Sequence, residues 1–443
     1  MPSLDVSSQN REYVIFPWAR QSAIKPPAVV RAKGCYFWDD KGKRHLDFAA
    51  QLVNVNAGHQ HPRIIAAIKE QADRLCYAAP SFAVDVKGEL ARMISEVTPG
   101  NLKKTFFTLG GADANEYAVR IAKWYTGKPK VIARYKSYHG GSYGAMSLTG
   151  DWRRAYMEPG MPGSLHCFQP YCYRCTFGQE SANCERECLS SLEEMIEYEN
   201  PEFIAAVIVE GVTGPSNGLY VPPPDYMPKL REICSRNNIL LIADEVMSGW
   251  GRTGEWFAVN NWGVVPDILT TAKGLTNAMA PLGAVVVSEP IGEWLEDHTL
   301  WGGLTYSGHP LSCAAGIAAL KVYREEGLVE NSKVMGRLLL EELQTLKTKH
   351  PSVGDARGIG LFCALELVKD RGTKTPLVPP KEAPYESGGM AAIKKVLSEG
   401  GVYAFTRPNL IAITPPLCIN EQELREGLEV VDRALAVADG MVA

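Results

Sequence analysis

The chain is predicted to fold as an α/β protein, and three features of its 443 residues predict this. Its middle alternates short β-rich runs with helical patterns, the signature of a sheet covered by helices. Several of those runs are apolar throughout, as in Ile239-Leu240-Leu241-Ile242-Ala243, which suits strands buried on both faces. The length itself allows two domains and a large core.

In chain order, Pro62 opens a helix in which Ile64, Ile68, Ala72 and Leu75 share one face. Thr105 to Leu109 reads as a strand, followed by Gly110-Gly111 and a helix from Ala112 to Tyr125. Further buried strands are expected at 131–134, 205–210, 239–243, 268–271 and 284–288. After Gly308-His309-Pro310 a helix should run to about Glu326, and a second from Leu328 to His350. The turn Arg357-Gly358-Ile359-Gly360 leads into a strand, Leu361 to Val368. Asp370 to Gly389, rich in Pro, Lys and Gly, is expected to be an exposed loop. The expected division is a large domain over 66–326 and a small α+β domain made of 1–65 and 327–443.

Composition excludes some partners. Forty-six basic residues face 50 acidic ones, a net charge of -4, which gives no electrostatic reason for a nucleic-acid or anionic-membrane partner. Met1 to Arg11 is polar, unlike a secretory signal, and no run approaches the roughly 20 apolar residues that span a bilayer. A cytoplasmic location is expected, with the 11 cysteines reduced or metal-bound rather than paired in disulfides.

The sharpest chemical signal is Leu240-Leu241-Ile242-Ala243-Asp244-Glu245-Val246, then Gly249-Trp250-Gly251-Arg252-Thr253-Gly254, then Pro266 through Thr271 to Ala272-Lys273-Gly274. Asp244 and Lys273 each end a strand, where α/β sheets place their ligands. A carboxylate there can pair with a protonated ring nitrogen and make a heterocycle a better electron sink. A lysine held away from bulk water can lose its proton and attack an aldehyde. Taken singly, such an aspartate is more often a helix cap and such a lysine a surface charge. Their joint context decides for chemistry.

From Phe37-Trp38-Asp39 to Arg407 and Pro415-Pro416-Leu417, the chain resembles the class III aminotransferases. The resemblance implies the type I pyridoxal-phosphate fold, with a mostly parallel seven-stranded sheet in the large domain. It implies pyridoxal 5'-phosphate as cofactor, with Lys273 joined to its aldehyde, Asp244 on the pyridine nitrogen and Val246 on one ring face. Tyr138-His139-Gly140 matches the family's Tyr-His-Gly motif, so Tyr138 would stack on the other face with His139 beside it. Glu210 joins the cofactor-binding set. Gly110-Gly111-Ala112 would cradle the phosphate through backbone N–H groups at a helix start. The family usually has a hydroxyl residue where this chain has Gly110, which leaves more of the work to the backbone. Thr305 would reach the phosphate of the neighbouring subunit, making the active site shared within a homodimer, which two dimers could extend to a tetramer. Arg407 would grip a substrate carboxylate or sulfonate, and Leu52 and Trp18 would line the substrate pocket.

The implied reaction passes an amino group to the cofactor and then to an oxo acid. Many relatives with dual specificity carry a glutamate that pairs with the conserved arginine; here Pro215 takes its place. Gly141 stands where γ-aminobutyrate transaminases commonly have arginine. The run Trp301-Gly302-Gly303-Leu304-Thr305-Tyr306-Ser307-Gly308-His309-Pro310 is similar to that of ω-amino acid enzymes of the taurine transaminase kind. The leading expectation is therefore an ω-amino donor such as taurine or β-alanine, with 2-oxoglutarate or pyruvate as acceptor. The alternatives are a 4-aminobutyrate or other amino acid transaminase, a pyridoxal-phosphate aminomutase or racemase, and a catalytically silent binding dimer.

Cys172-x2-Cys175 and Cys184-x3-Cys188 form two close pairs, a spacing that could complete a structural zinc site or hold an iron–sulfur cluster. Some γ-aminobutyrate transaminases carry an iron–sulfur cluster from a similar Cys-x2-Cys. A loop of free thiols is the other reading.

Overall fold

The apolar run Ile204–Glu210 is buried at all seven positions, as a strand covered on both faces must be. In the computed structural model, which describes residues 5–379 and 388–442, it lies inside a seven-stranded sheet. The order across that sheet is Leu102–Thr108, Gly283–Ser288, Ile268–Thr271, Leu240–Asp244, Ile204–Glu210, Lys130–Arg134 and Ser164–Cys167. Gly283–Ser288 runs antiparallel to both neighbours; from Ile268–Thr271 to Ser164–Cys167 every pairing is parallel. Glu210 sits opposite Asp244, and Asp244 opposite Thr270. The register thus sets two acidic side chains at one edge of the sheet, with Lys273 two residues beyond the strand Ile268–Thr271.

Two smaller sheets flank this one. Val29–Lys33, Tyr36–Asp39 and Arg44–Asp47 form an antiparallel meander, and Val402–Tyr403 adds to its edge in parallel, pairing with Leu46 and Asp47. Val353–Ile359, Phe362–Asp370, Leu410–Ile413 and Phe405–Arg407 make an antiparallel sheet, packed by the helix Leu328–Lys349. Buried Arg252 ties these parts together. Its guanidinium donates to Asn56 Oδ1 at 2.7 Å, to the Leu361 carbonyl at 3.1 Å and to the Pro415 carbonyl.

Three local expectations need correction. The helix Pro62–Arg74 buries Ile64 and Gln71, while Ala72 is exposed. Leu75, 41% exposed, has already left the helix with an extended backbone. The inner stripe therefore follows Ile64, Ile68 and Gln71, a spacing of four and three. The segment after Asp370 is not wholly exposed: Thr375–Pro376 pairs with Phe362–Asp370, and Leu377 and Val378 are buried. Asn409 holds that stretch by accepting from the Val378 N–H at 2.7 Å and donating to its carbonyl at 3.0 Å. The rest of that expected loop, 380–387, lies outside the described residues. The edge strand Ser164–Cys167 was not anticipated, because its four residues, three half-buried and one buried, carry neither an apolar run nor an alternation. None of the described helices is long and apolar enough to cross a membrane.

Candidate active site

Above the ends of these strands lies a cavity of about 410 Å³. Asp244, Lys273, Glu210, Tyr138, His139 and Val246 line it, as do Gly110, Gly111 and Ala112. Residues separated by up to 163 positions are thus gathered by the sheet register alone.

Asp244 is 3% exposed, and three donors hold its carboxylate. Its Oδ2 accepts from Asn115 Nδ2 and from His139 Nδ1, each at 2.7 Å, and its Oδ1 accepts from the Val246 N–H at 3.0 Å. To donate to a carboxylate, His139 must carry its proton on Nδ1. Asn115 also donates to the His139 carbonyl at 2.7 Å and accepts from Thr270 Oγ1 at 2.7 Å. Every oxygen and ring in this group is therefore held by a second residue. A carboxylate so fixed can receive a further proton donor without reorganising.

Lys273 carries a φ of 49°, the left-handed region that a side chain rarely adopts. The surrounding backbone enforces it. Tyr323 Oη donates to the Gly274 carbonyl at 2.6 Å, and a Cβ on Gly274 would come within 2.5 Å of Asn56 Nδ2. Burial pushes the Lys273 amine below the usual lysine range, while the Asp244 and Glu210 carboxylates partly restore it. Burial likewise pushes Glu210 up to about 7, reinforced by Asp244 and opposed by His139 and Arg134. Glu210 accepts from the Tyr138 N–H at 3.3 Å and the Gly214 N–H at 3.2 Å.

Gly110 precedes the 16-residue helix Gly111–Thr126, whose first residues line the cavity. Glycine is required here by space: a Cβ on Gly111 would meet Val246 Cγ1 at 2.5 Å. Gly140, at φ 145°, would place its Cβ 2.6 Å from that of Ala112. The pair leaves a cradle of bare backbone suited to an anion.

Other expected residues are placed differently. Arg407 lines a neighbouring cavity of about 570 Å³ that shares Ser216 and Asn217 with the first; its Nε donates to Ser216 Oγ at 3.4 Å. Trp18, 49% exposed, meets the Tyr138 ring edge-on at 6.4 Å. Leu52 is 56% exposed and does not line the cavity; Asn54, two residues on, does. Thr305 is exposed outside this chain's own cavity, and its carbonyl accepts from Tyr77 Oη at 3.0 Å. Cys172, Cys175, Cys184 and Cys188 are free thiols. Among the described residues no group of three or more His, Cys, Asp or Glu is placed to hold a metal, which corrects the zinc or iron–sulfur expectation. Cys184 donates to Glu187 Oε2 at 2.8 Å, and Cys188 is buried in the hydrophobic core.

Sequence reasoning missed two residues beside the site. Asn115 had a signal, since it interrupts the apolar stripe formed by Ala114, Ala118 and Ile121. Arg153 had none; it is 7% exposed, pairs with Asp151 and lies 4.2 Å from the Tyr138 ring centroid.

Comparison with known proteins agrees with this geometry. The family model for class III aminotransferases matches residues 18–435. A leucine/methionine racemase of Thermococcus litoralis is 35% identical over 97% of this chain and 95% of its own. A putrescine–pyruvate aminotransferase of Pseudomonas aeruginosa is 34% identical over 92% of this chain and 90% of its own. Among solved structures, the taurine:2-oxoglutarate aminotransferase of Bifidobacterium kashiwanohense, in complex with pyridoxal phosphate and glutamate, superposes with a TM-score of 0.95. It is 41% identical, over the whole of both chains. An (S)-enantioselective omega-transaminase of Thermomicrobium roseum gives 0.91 at 37% identity, over 98% of each chain. With the family model matched over residues 18–435 and relatives 34–35% identical along nearly their whole length, the chain belongs to the class III aminotransferases.

Proposed function

We propose that this enzyme moves an amino group from an ω-amino donor, such as taurine or β-alanine, to 2-oxoglutarate or pyruvate. The observation that carries the chemistry is one cavity holding a buried lysine amine and a carboxylate fixed by three hydrogen bonds. The choice of donor rests on the run Trp301 to Pro310 and on similarity to the taurine enzyme of Bifidobacterium kashiwanohense.

Family membership implies pyridoxal 5'-phosphate, and the residues present fit it. A Cβ on Gly111 would run into Val246 and Gly110 carries none, so the helix start presents the bare backbone N–H groups that suit a phosphate. When bound, the cofactor supplies an aldehyde that takes up amines and a protonated ring that withdraws electrons from the donor carbon. Asp244 keeps the ring nitrogen protonated, and His139 and Asn115 keep Asp244 aimed. Tyr138 and Val246 flank the ring, and Glu210 braces the Tyr138 backbone. Lys273 Nζ, its charged form disfavoured by burial, would take the proton from the donor carbon as a base and deliver it, as an acid, to the cofactor's former aldehyde carbon. Arg407 pairs with the acid group of the substrate, with Leu52 and Trp18 at the pocket's outer margin. We further propose a cytoplasmic homodimer in which Thr305 serves the other subunit's phosphate. The same reading divides the chain into 66–326 around the cofactor and a small domain from 1–65 and 327–443.

A donor-by-acceptor screen on purified holoenzyme tests the reaction. Taurine or β-alanine should yield an aldehyde product only when an oxo acid is added. Activity confined to α-amino or N-acetylornithine donors would reject the donor assignment. The similarity to a racemase favours one second reading, inversion at an α-carbon with the same Lys273 and Asp244. Loss of optical activity from a single amino acid without any oxo acid would establish that instead.

A further inference from the structure

We propose that the second cavity is an anion subsite for the distal acid group of a dicarboxylate oxo acid, and that Lys136 is the cation that reads it. This rests on the aminotransferase reading above and adds the class of acceptor.

The two cavities adjoin at the turn Pro215–Asn217, where Ser216 and Asn217 line both. An acceptor whose reacting end lies near Lys273 can therefore extend past Asn217 into the second space. Among the described residues, Lys136, Arg153, Arg174 and Arg407 line it against only Asp151 and Glu366. Both carboxylates are already engaged. Arg153 Nε lies 2.9 Å from each Asp151 oxygen. Glu366 accepts from Arg174 and Tyr171 and pairs with Arg357 Nη2 at 2.7 Å.

Donors, by contrast, remain open. Asn217 is 5% exposed, yet its Nδ2 has no acceptor among the described residues; the same holds for Arg174 Nη2. Buried N–H groups seldom stay unmatched, and in a cavity the missing acceptor is a ligand or water. The Lys136 ammonium forms no hydrogen bond or ion pair among the described residues and lies 5.5 Å from the Tyr171 ring centroid. Tyr171, Glu366, Asp151, Arg174 and Arg357 are the groups facing it. The stem is held at φ 52° just past the strand Lys130–Arg134, with its N–H donating to the Gly150 carbonyl at 3.3 Å. A monoacid matched at Arg407 leaves Lys136 and Asn217 unused; a second carboxylate matches them.

The test uses holoenzyme and two unreactive probes, glutarate and butyrate, titrated by calorimetry and as inhibitors. Wild-type enzyme should bind glutarate at least about tenfold more tightly than butyrate, a difference of roughly 1.4 kcal/mol. Lys136→Met should remove that preference, and should lower kcat/KM for 2-oxoglutarate relative to pyruvate about tenfold through KM rather than kcat. Lys136→Arg should restore most of it, and Asn217→Ala should weaken glutarate binding in the same sense. Equal affinity of wild type for the two probes, or an equal effect of Lys136→Met on both acceptors, would overturn the proposal. Glutarate preference without any transamination would leave the subsite standing and sink the reaction reading instead.

Discussion

His139 Nδ1 lies 2.7 Å from Asp244 Oδ2, and both side chains are sealed from solvent. In that setting the aspartate is the acceptor for whatever proton donor the cavity holds, and the histidine fixes its direction. Asp244→Asn should lower kcat by roughly two to three orders of magnitude, the usual loss when a preorganised electrostatic partner is removed. Steady-state rates, with circular dichroism to show an intact fold, check this.

The Lys273 amine should attach cofactor at a pH well below that of an ordinary lysine, because burial disfavours its charged form. Asp244 and Glu210 pull the other way, so removing either charge should move the midpoint further down. Glu210 titrates near 7, so Glu210→Gln should act only above about that pH, where the wild-type carboxyl is ionised. The rate of covalent attachment to apo-protein, followed by absorbance across pH, measures both shifts. In the apo-protein the depressed amine also binds fewer protons than the unfolded chain below the ordinary lysine pKa. Its contribution to stability should therefore fall as pH drops through the folded value, and Lys273→Met should flatten that slope.

Gly111→Ala drives a methyl to within 2.5 Å of Val246 Cγ1, so either the helix start or Val246 must shift. Pyridoxal phosphate affinity should fall at least about tenfold, and the added change Val246→Ala should return part of it. Coupling of neighbours by about 0.5–3 kcal/mol is expected of such a pair. Equilibrium titration of the four proteins gives the number.

Burial holds the Arg252 guanidinium below its usual range, at about 10, yet its three carbonyl-type partners require it. Arg252→Met would strand those acceptors, each worth about 1–3 kcal/mol when left unmatched. A loss of at least about 2 kcal/mol in urea unfolding of the apo-protein is expected.

How much of this was legible in sequence depended on distance along the chain. Asp244, Val246 and Lys273 were visible because each lies at or just past the end of an apolar strand, and the glycines because they sit where a strand turns into a helix. Five consecutive strands of the seven-stranded sheet pair in parallel, so their order and register bring those ends together. Asn115 was readable only as a polar interruption of a helix face. Arg153, Lys136 and Asn217 were not, because their meaning comes from partners supplied by other segments or left open. The left-handed backbone of Lys273 leaves no mark in composition at all. The four cysteines show the reverse failure: their regular spacing along the chain yields no metal-holding group among the described residues.

The parallel pairing of Leu46 with Val402 has a further consequence, for synthesis rather than catalysis. The strand Arg44–Asp47 leaves the ribosome with one edge bare, and its partner lies about 350 residues away. At ~5–20 residues per second, that edge waits roughly 20 to 70 s before Val402–Tyr403 exists to cover it. Over that interval the nascent chain presents an open template for stray strands, which makes it a natural client for a chaperone at the exit tunnel.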